Sequence, residues 1–345
     1  MDVSYVVWEN EAAKIAGSRD PVISVAVPFF RVDVCPLAEV LVGQAARLSG
    51  SVELLFADDA SGDPEHAKRL ESLLSKASPA CRLVSATQNV GRARIRNALH
   101  ERCRGQYVLF LDSDMYPDSD DFLARYFELA VAAAGDVIVG GSSYHQIRGV
   151  PRSQRLYFYH SNRTQCVSVA VRRNHPLRYV FTNNLLLRRR LLSEIAFDPE
   201  YSGWGYEDTD WAFAVAQQNA RVIHIDNTAT HVGLIDDDRV IEKYKESVGN
   251  FVRLTSKFPA QSQTIPVYRL ARRLSRLPLP FGQLAWLAEL LSRSTVLPVR
   301  ARYVCLQALK LWLYCGALSR HGGAHDGGHG RRSPTQQVSK PNQLK

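Results

Sequence analysis

Three groups of acidic residues stand where a carboxylate could do chemistry. Asp58-Asp59 closes the apolar run VELLFA, Asp112-Ser113-Asp114 closes YVLFL, and Glu207-Asp208 follows the turn Gly203-Trp204-Gly205-Tyr206. Two carboxylates at the end of so apolar a segment as YVLFL are costly to bury unless a cation or hydrogen-bond donors meet them. In extended backbone Asp112 and Asp114 point to the same side, roughly 7 Å apart. One could then face a ribose while the other binds a hard cation. Mg²⁺ or Mn²⁺ suits such a place, because both take oxygen ligands and share them with substrate phosphates. Asp58-Asp59 can accept hydrogen bonds from a uracil-type N–H or a ribose hydroxyl. Two glycines let the backbone at 203–205 approach a ligand closely, and Glu207-Asp208 open a helix, where the dipole favours negative charge. His231, in Thr230-His231-Val232-Gly233, becomes a nitrogen donor to Mn²⁺ only beside Asp114. Each group also has a plainer reading: turn and cap residues for the aspartate pairs, helix-start stabilisers for Glu207-Asp208, a structural histidine at 231.

The elements that must position these groups follow from the apolar pattern. Strands are expected at 22–30 (VISVAVPFF), 52–57, 83–86, 107–111 and 137–140, being short, apolar and rich in β-branched residues. Helices are expected at 36–48, at 63–77 with Asp63 as N-cap, at 91–102 and at 120–133. That alternation implies a mostly parallel sheet covered by helices. In such a sheet ligands bind outside the carboxyl ends of the strands, where the first two acidic groups stand. The second half is less regular. Residues 145–179 read as excursions and mobile loop; 181–187 lead into a short helix at 190–195. Residues 207–218 read as a helix, 221–225 as a strand, and 239–257 as a helix closing the globular body. No internal repeat is visible.

Length and charge divide the chain further. With 345 residues and 46% apolar content it can bury a real core. Residues 1–260 carry a net charge of −2 and residues 261–345 a net charge of +11, so the basic character belongs to the tail. That implies an anionic partner. The six cysteines are scattered, with no CxxC spacing, which speaks against a disulfide framework or a zinc site and fits a reducing cytosol. The first twenty residues carry charges throughout and lack the apolar run of a signal peptide. Residues 303–318 (YVCLQALKLWLYCGAL) are too short, with Lys310 inside, to span a bilayer. They read as an interfacial amphipathic helix with Tyr303, Trp312 and Tyr314 near the headgroups, or as a helical subdomain packed on the body. The expected division is a lead-in at 1–21, a main domain at 22–258 split near 118 into nucleotide-binding and acceptor halves, a basic helical extension at 259–320, and a disordered tail at 321–345.

The ordered series VISVAVPFF, LLFADDAS, NVGRARIRN, YVLFLDSD, FTNNLLLRR, GWGYEDTDW and THVG resembles the inverting family 2 glycosyltransferases of the GT-A type. Its last three segments are also similar to the C-terminal half of β-1,4-galactosyltransferases. The resemblance covers about residues 22–233. It implies an α/β GT-A fold and sugar transfer from a nucleoside-diphosphate donor, with a UDP-sugar expected. The expected acceptor is a glycan or lipid-linked glycan hydroxyl, at the cytoplasmic face of a membrane. It also implies roles. Pro28 ends the first strand where the nucleotide is wrapped. Asp58 and Asp59 match the pair holding base and ribose. Arg92, Arg94 and Arg96 lie in the stretch contributing to nucleotide and diphosphate binding. Asp112 and Asp114 match the metal-binding D-x-D, Asp114 being the more direct ligand. Asn183 and Asn184 match the segment lining the donor sugar, where many relatives have small residues. Trp204 matches an aromatic packing on a sugar. Glu207 and Asp208 match the catalytic pair, with Asp208 as general base, and His231 matches a metal ligand.

Other classes find less support. A sugar-nucleotide nucleotidyltransferase wants a Gly-rich, Lys-containing loop after the first strand, where Phe29-Phe30-Arg31-Val32 stands. A dehydrogenase wants G-x-G-x-x-G after a strand, and none occurs. An inert module with the same fold predicts eroded acids, yet all three groups are present. Nucleic acid is not an expected partner, since the basic tail carries no recognised module.

Overall fold

The computed structural model of the chain describes residues 3–15 and 20–326, with side chains as far as His321. The first half alternates strand and helix: β1 (Tyr5–Glu9), α1 (Glu11–Ile15), β2 (Ile23–Phe29), α2 (Cys35–Ala46), β3 (Val52–Asp58), α3 (Pro64–Ser75), β4 (Ala80–Ala86), α4 (Arg92–Arg102), β5 (Tyr107–Leu111), β6 (Met115–Pro117) and α5 (Phe122–Val131). The second half continues with β7 (Val137–Val139), β8 (Ser142–Ser143), α6 (Arg155–Thr164), α7 (Val169–Asn174), β9 (Asn184–Arg188), α8 (Arg189–Glu194), α9 (Glu207–Gln217), β10 (Val222–His224), β11 (Ala229–His231) and α10 (Asp237–Lys257). Three helices follow: α11 (Pro266–Leu274), α12 (Phe281–Arg293) and α13 (Val299–Asp326).

One sheet of eight strands runs β1-β4-β3-β2-β5-β9-β7-β10. Strands β4, β3, β2 and β5 are mutually parallel; β9 lies antiparallel between β5 and β7. The uninterrupted apolar runs of β2, β3 and β5 follow from burial on both faces. On one face Leu37, Leu41, Leu70, Leu74 and Tyr126 pack over Val25, Leu54 and Leu109. On the other, Ile95, Leu99, Leu191 and Trp211 pack over Leu55, Val108, Phe110 and Leu185. A second, three-stranded sheet, β6-β11-β8, sits beyond the end of β5.

Most expected elements occur within two or three residues of their expected bounds, and the Asp63 carboxylate caps α3 by accepting from the His66 N–H at 2.9 Å. Four expectations are corrected. The lead-in contains β1, which pairs antiparallel with β4 and forms one edge of the sheet. Residues 145–179 are not a structureless loop: α6 and α7 form there, and α6 turns Leu156, Tyr157 and His160 inward. The helix they form is held from outside its own sequence, since the Asp237 carboxylate accepts the Leu156 and Tyr157 N–H groups. The 303–318 segment does not offer its aromatic face outward. Leu306, Leu309, Tyr314 and Cys315 are fully buried, against α6 and α10 on one side and α11 on the other. Residues 321–326, expected in the disordered tail, continue α13; the rest of that tail, 327–345, lies outside the described residues.

Candidate active site

The carboxyl ends of β2, β3 and β5 bring Pro28, Asp58, Asp59, Asp112 and Asp114 toward one edge of the sheet. There they divide by what they already hold. Asp59 is buried, and its oxygens accept from Val90 N–H at 2.7 Å, Gly91 N–H at 3.0 Å and the Asn89 amide at 3.0 Å. Burial pushes its carboxyl above the ordinary range, although those backbone donors pull the other way. Asp59 therefore fixes the turn that starts α4, with most of its accepting capacity already engaged. Asp58 accepts only the Ser61 N–H on Oδ1, at 2.8 Å, and keeps capacity for a ligand.

The three arginines of α4 separate by helical geometry. Arg96 is buried, and one terminal nitrogen donates to Asp112 Oδ1 at 2.8 Å. Its Nε and its other terminal nitrogen have no hydrogen-bond partner among the described residues. Arg92, a turn earlier, reaches to 3.7 Å from Glu207 Oε1. Arg94 is exposed on another face of α4, where its charge is felt at Tyr5 in β1. It does not join the other two. At an interval of two residues a helix turns its side chains about 200° apart, which is why the three cannot converge.

Asp114 and His231 meet because of the small sheet. The register of β11 against β6 sets His231 opposite Met115, the residue after Asp114. His231 Nε2 then lies 3.1 Å from Asp114 Oδ2. Burial acts to raise the Asp114 carboxyl, but the hydrogen bond and charge from His231 hold it below the ordinary range. Behind the ring, Tyr157 Oη is 3.4 Å from His231 Nδ1. A polar partner on the second nitrogen orients a metal-ligating imidazole. At Gly233 any Cβ would overlap Asp114 Oδ2, so the glycine of THVG makes room for this carboxylate. A nitrogen and a carboxylate oxygen converging on one point suit Mn²⁺ or Mg²⁺, with substrate phosphates completing the shell. Asp112, by contrast, is engaged by Arg96. A different trio, Asp33, Cys35 and His66, also clusters. There His66 Nε2 accepts the Val34 N–H, and burial pushes the Cys35 thiol up to about 11, so it offers no thiolate.

The Gly203–Tyr206 turn delivers Glu207 and Asp208. Gly203, Gly205 and Tyr206 all have positive φ, at 70°, 92° and 74°. The glycines accept this freely, whereas for Tyr206 it is strained. The strain is held by the C-terminal helices. The Tyr206 hydroxyl donates to Tyr314 of α13 at 2.8 Å, and Asn250 of α10 donates to the carbonyls of Ser202 and Gly205 at 2.9 and 3.0 Å. Asp208 receives the Thr182 hydroxyl at 2.8 Å. Burial, and then the neighbouring Glu207 charge, push its carboxyl up to about 7, with Arg96 acting against them. Trp204 packs edge-on against Tyr244, ring centroids 5.8 Å apart.

The two asparagines part company. Asn183 is partly open and donates to Ser142 Oγ at 3.0 Å. Asn184 is wholly buried, its amide spent on the carbonyls of Gly141 and Asn227 and its oxygen on the Tyr126 hydroxyl. It ties β9 to its neighbours and cannot line a sugar site. Thr182, Tyr157 and Asn250 were not singled out from sequence, and Tyr314 was named only as an aromatic near the headgroups. Of the four, only Thr182 stands inside a motif segment, FTNNLLLRR.

A parallel sheet with an antiparallel β9, carboxylates after β3 and β5, and a second acidic pair opening α9 together define the GT-A fold of nucleotide-sugar transferases. Residues 24–196 match the family described as Glycosyl transferase family 2, and the chain belongs to that family. A mannosyltransferase from Pyrobaculum calidifontis, solved with GDP-Man and Mn²⁺, superposes with a TM-score of 0.52 at 18% identity, over 88% of each chain. TarS residues 1–349 from S. aureus, solved with UDP-GlcNAc, is a weaker likeness: TM-score 0.46, 17% identity, 90% of this chain and 93% of that one. An uncharacterized protein, y4gI of Sinorhizobium fredii, is 34% identical over 122 residues, which span 33% of this chain and 13% of that relative's length.

Proposed function

We propose that this chain transfers a sugar from a nucleoside-diphosphate donor to a hydroxyl of a glycan or lipid-linked glycan, with inversion, and that a UDP-sugar is the donor. The observation that carries the reading is the joining of two carboxylate sites through α4. Arg92 faces Glu207, and its charge also acts on Asp114; Arg96 holds Asp112, and its charge acts on Asp208.

Asp114 and His231 would hold Mn²⁺ or Mg²⁺, which supplies charge to the departing diphosphate when bound. Asp58 would take the base or ribose, and Trp204 one face of the acceptor. Asp208 accepts the proton of the acceptor hydroxyl as its oxygen bonds to the anomeric carbon. The bond from that carbon to the phosphate oxygen breaks, its electron pair leaving with the diphosphate. A base opposite the leaving group gives one displacement and one inversion. A carboxyl that titrates near neutral pH suits a base working at that pH. Incubation with Mn²⁺, a glycan acceptor mixture and a panel of UDP-, GDP- and dTDP-sugars tests the reading. Release of one nucleoside diphosphate above the water-hydrolysis level is the expected result; none from any donor would contradict it.

The extension is read as resting on an anionic membrane, by a different face from 303–318. No helix among the described residues is long and apolar enough to cross a bilayer. Around α11 and α12, however, Leu277, Leu279, Trp286, Leu287 and Leu290 are exposed, and so are Arg269, Arg272, Arg273 and Arg276 of α11 and its end. Apolar anchors with basic residues beside them favour an anionic interface. Full-length protein should cosediment with phosphatidylserine vesicles and be released by salt. Trp286→Ser with Leu290→Ser should leave it in the supernatant; unchanged cosedimentation would contradict the assignment. Truncation before α11 is a poor test, because it also strips Tyr314 from the Tyr206 turn.

A further inference from the structure

Helix α10 carries five cations. Arg239 is paired with Glu246, Lys245 with Glu242 and Glu289, Arg253 with Asp198 and Glu200, and Lys257 with Asp198 and Asp210. Lys243 alone among them has no carboxylate within 4.0 Å and no hydrogen bond among the described residues. Its ammonium lies 5.7 Å from the centre of the Trp204 ring. The charges acting on it are those of Arg92, Arg239, Asp114 and Glu246. Arg92 and Asp114 belong to the proposed transfer site, so Lys243 lies within reach of its charges, beside Trp204. Burial, with Arg92 and Arg239 adding repulsion, pushes its amine down to about 8, and it stays mostly protonated at neutral pH.

A half-buried ammonium is costly to keep without an anion. Among the described residues no carboxylate lies within 4.0 Å of it; Asp114 and Glu246 act on it only from farther off, and two arginines oppose it. We propose that Lys243 binds the diphosphate of the nucleotide donor. With Arg92 it forms a cationic clamp on the group that leaves. This rests on the nucleotide-sugar reading above and adds to it a ligand from outside residues 24–196. The same clamp favours the charge that grows on the diphosphate as the sugar departs.

Calorimetric titration of the full chain in Mn²⁺ with UDP and GDP, and with uridine and guanosine as phosphate-free controls, tests it. Charge-assisted hydrogen bonds of this kind correspond to about 10- to 100-fold in affinity. Lys243→Ala should lose that much for the nucleoside diphosphate the wild type binds, with no change for its nucleoside. Lys243→Arg should keep most of the affinity. Should Lys243→Ala melt early, Lys243→Gln against Lys243→Arg makes the same comparison in a longer side chain. Unchanged diphosphate affinity in folded Lys243→Ala would overturn the proposal, and a loss confined to acceptor KM would overturn it in favour of an acidic acceptor. A wild type that binds neither diphosphate would sink the UDP-donor reading on which the proposal rests.

Discussion

Asp208→Asn should lower turnover by about 10²- to 10⁴-fold, the usual worth of general-base catalysis, and should raise the melting temperature. Both effects come from one carboxyl. Asparagine still accepts the Thr182 hydroxyl at the Asp208 Oδ1 position and gives up only the long 3.4 Å contact from the Thr182 N–H to Oδ2, so the turn keeps its shape. It cannot take the acceptor proton. The stability gain follows from the sign of the pKa shift. The folded value, about 7, lies above the 3.8 of an ordinary aspartate in the unfolded chain. The folded state then binds more protons than the unfolded state between those values, and stability falls as pH rises across that window. At pH 7.5 the wild type bears the cost of a buried charge beside Glu207; the asparagine variant does not. Donor binding should change little, since the lost interaction belongs to the transition state. If both acids merely stabilised the start of α9, the change would instead cost about 0.3–1 kcal/mol of stability and leave the rate intact. Scanning calorimetry and steady-state kinetics on the same preparation separate the two.

The second large effect is expected at the metal pair. Asp114→Ala should abolish Mn²⁺-dependent nucleotide affinity. Gly233→Ala should come close without touching a ligand, because its methyl would occupy the space of Asp114 Oδ2. Displacing a ligand through its support typically costs 10- to 100-fold in metal affinity. Gly249, in the exposed surface of α10, has open space where a Cβ would go. Gly249→Ala should therefore leave nucleotide binding alone and stabilise the helix by about 0.5–1 kcal/mol. Equal Mn²⁺-dependent binding by Gly233→Ala and Gly249→Ala would contradict the Asp114–His231 assignment.

The sheet was legible because its strands are buried on both faces and read as unbroken apolar runs. The acids after β3 and β5 were legible as positions, but their tasks were not. Asp58 and Asp59 are the same residue type one position apart, and only the hydrogen bonds show that Asp59 is engaged by the Asn89–Gly91 turn. Asn183 and Asn184 also split, because Asn183 belongs to the turn before β9 while Asn184 opens that buried strand. The partners of Asp208 and of the Tyr206 turn come from distant segments. Thr182, Asn250 and Tyr314 have no shared period or motif that announces a meeting. Residues 145–179 looked irregular because α6 is short, is rich in polar side chains, and borrows the Asp237 carboxylate for its first turn. The 303–318 segment was amphipathic enough for either a membrane or a protein groove, and pattern alone does not distinguish the two.

The pH dependence of kcat under saturating donor and acceptor tests the central claim most directly. A base with a carboxyl near 7 must be ionised to act, so turnover should rise with pH and reach half its plateau close to 7. In Asp208→Asn that rise should vanish, leaving a low rate that is flat across the same range. A wild-type rate independent of pH between about 5 and 8, or a rise of the same midpoint persisting in Asp208→Asn, would contradict Asp208 as the residue that takes the acceptor's proton.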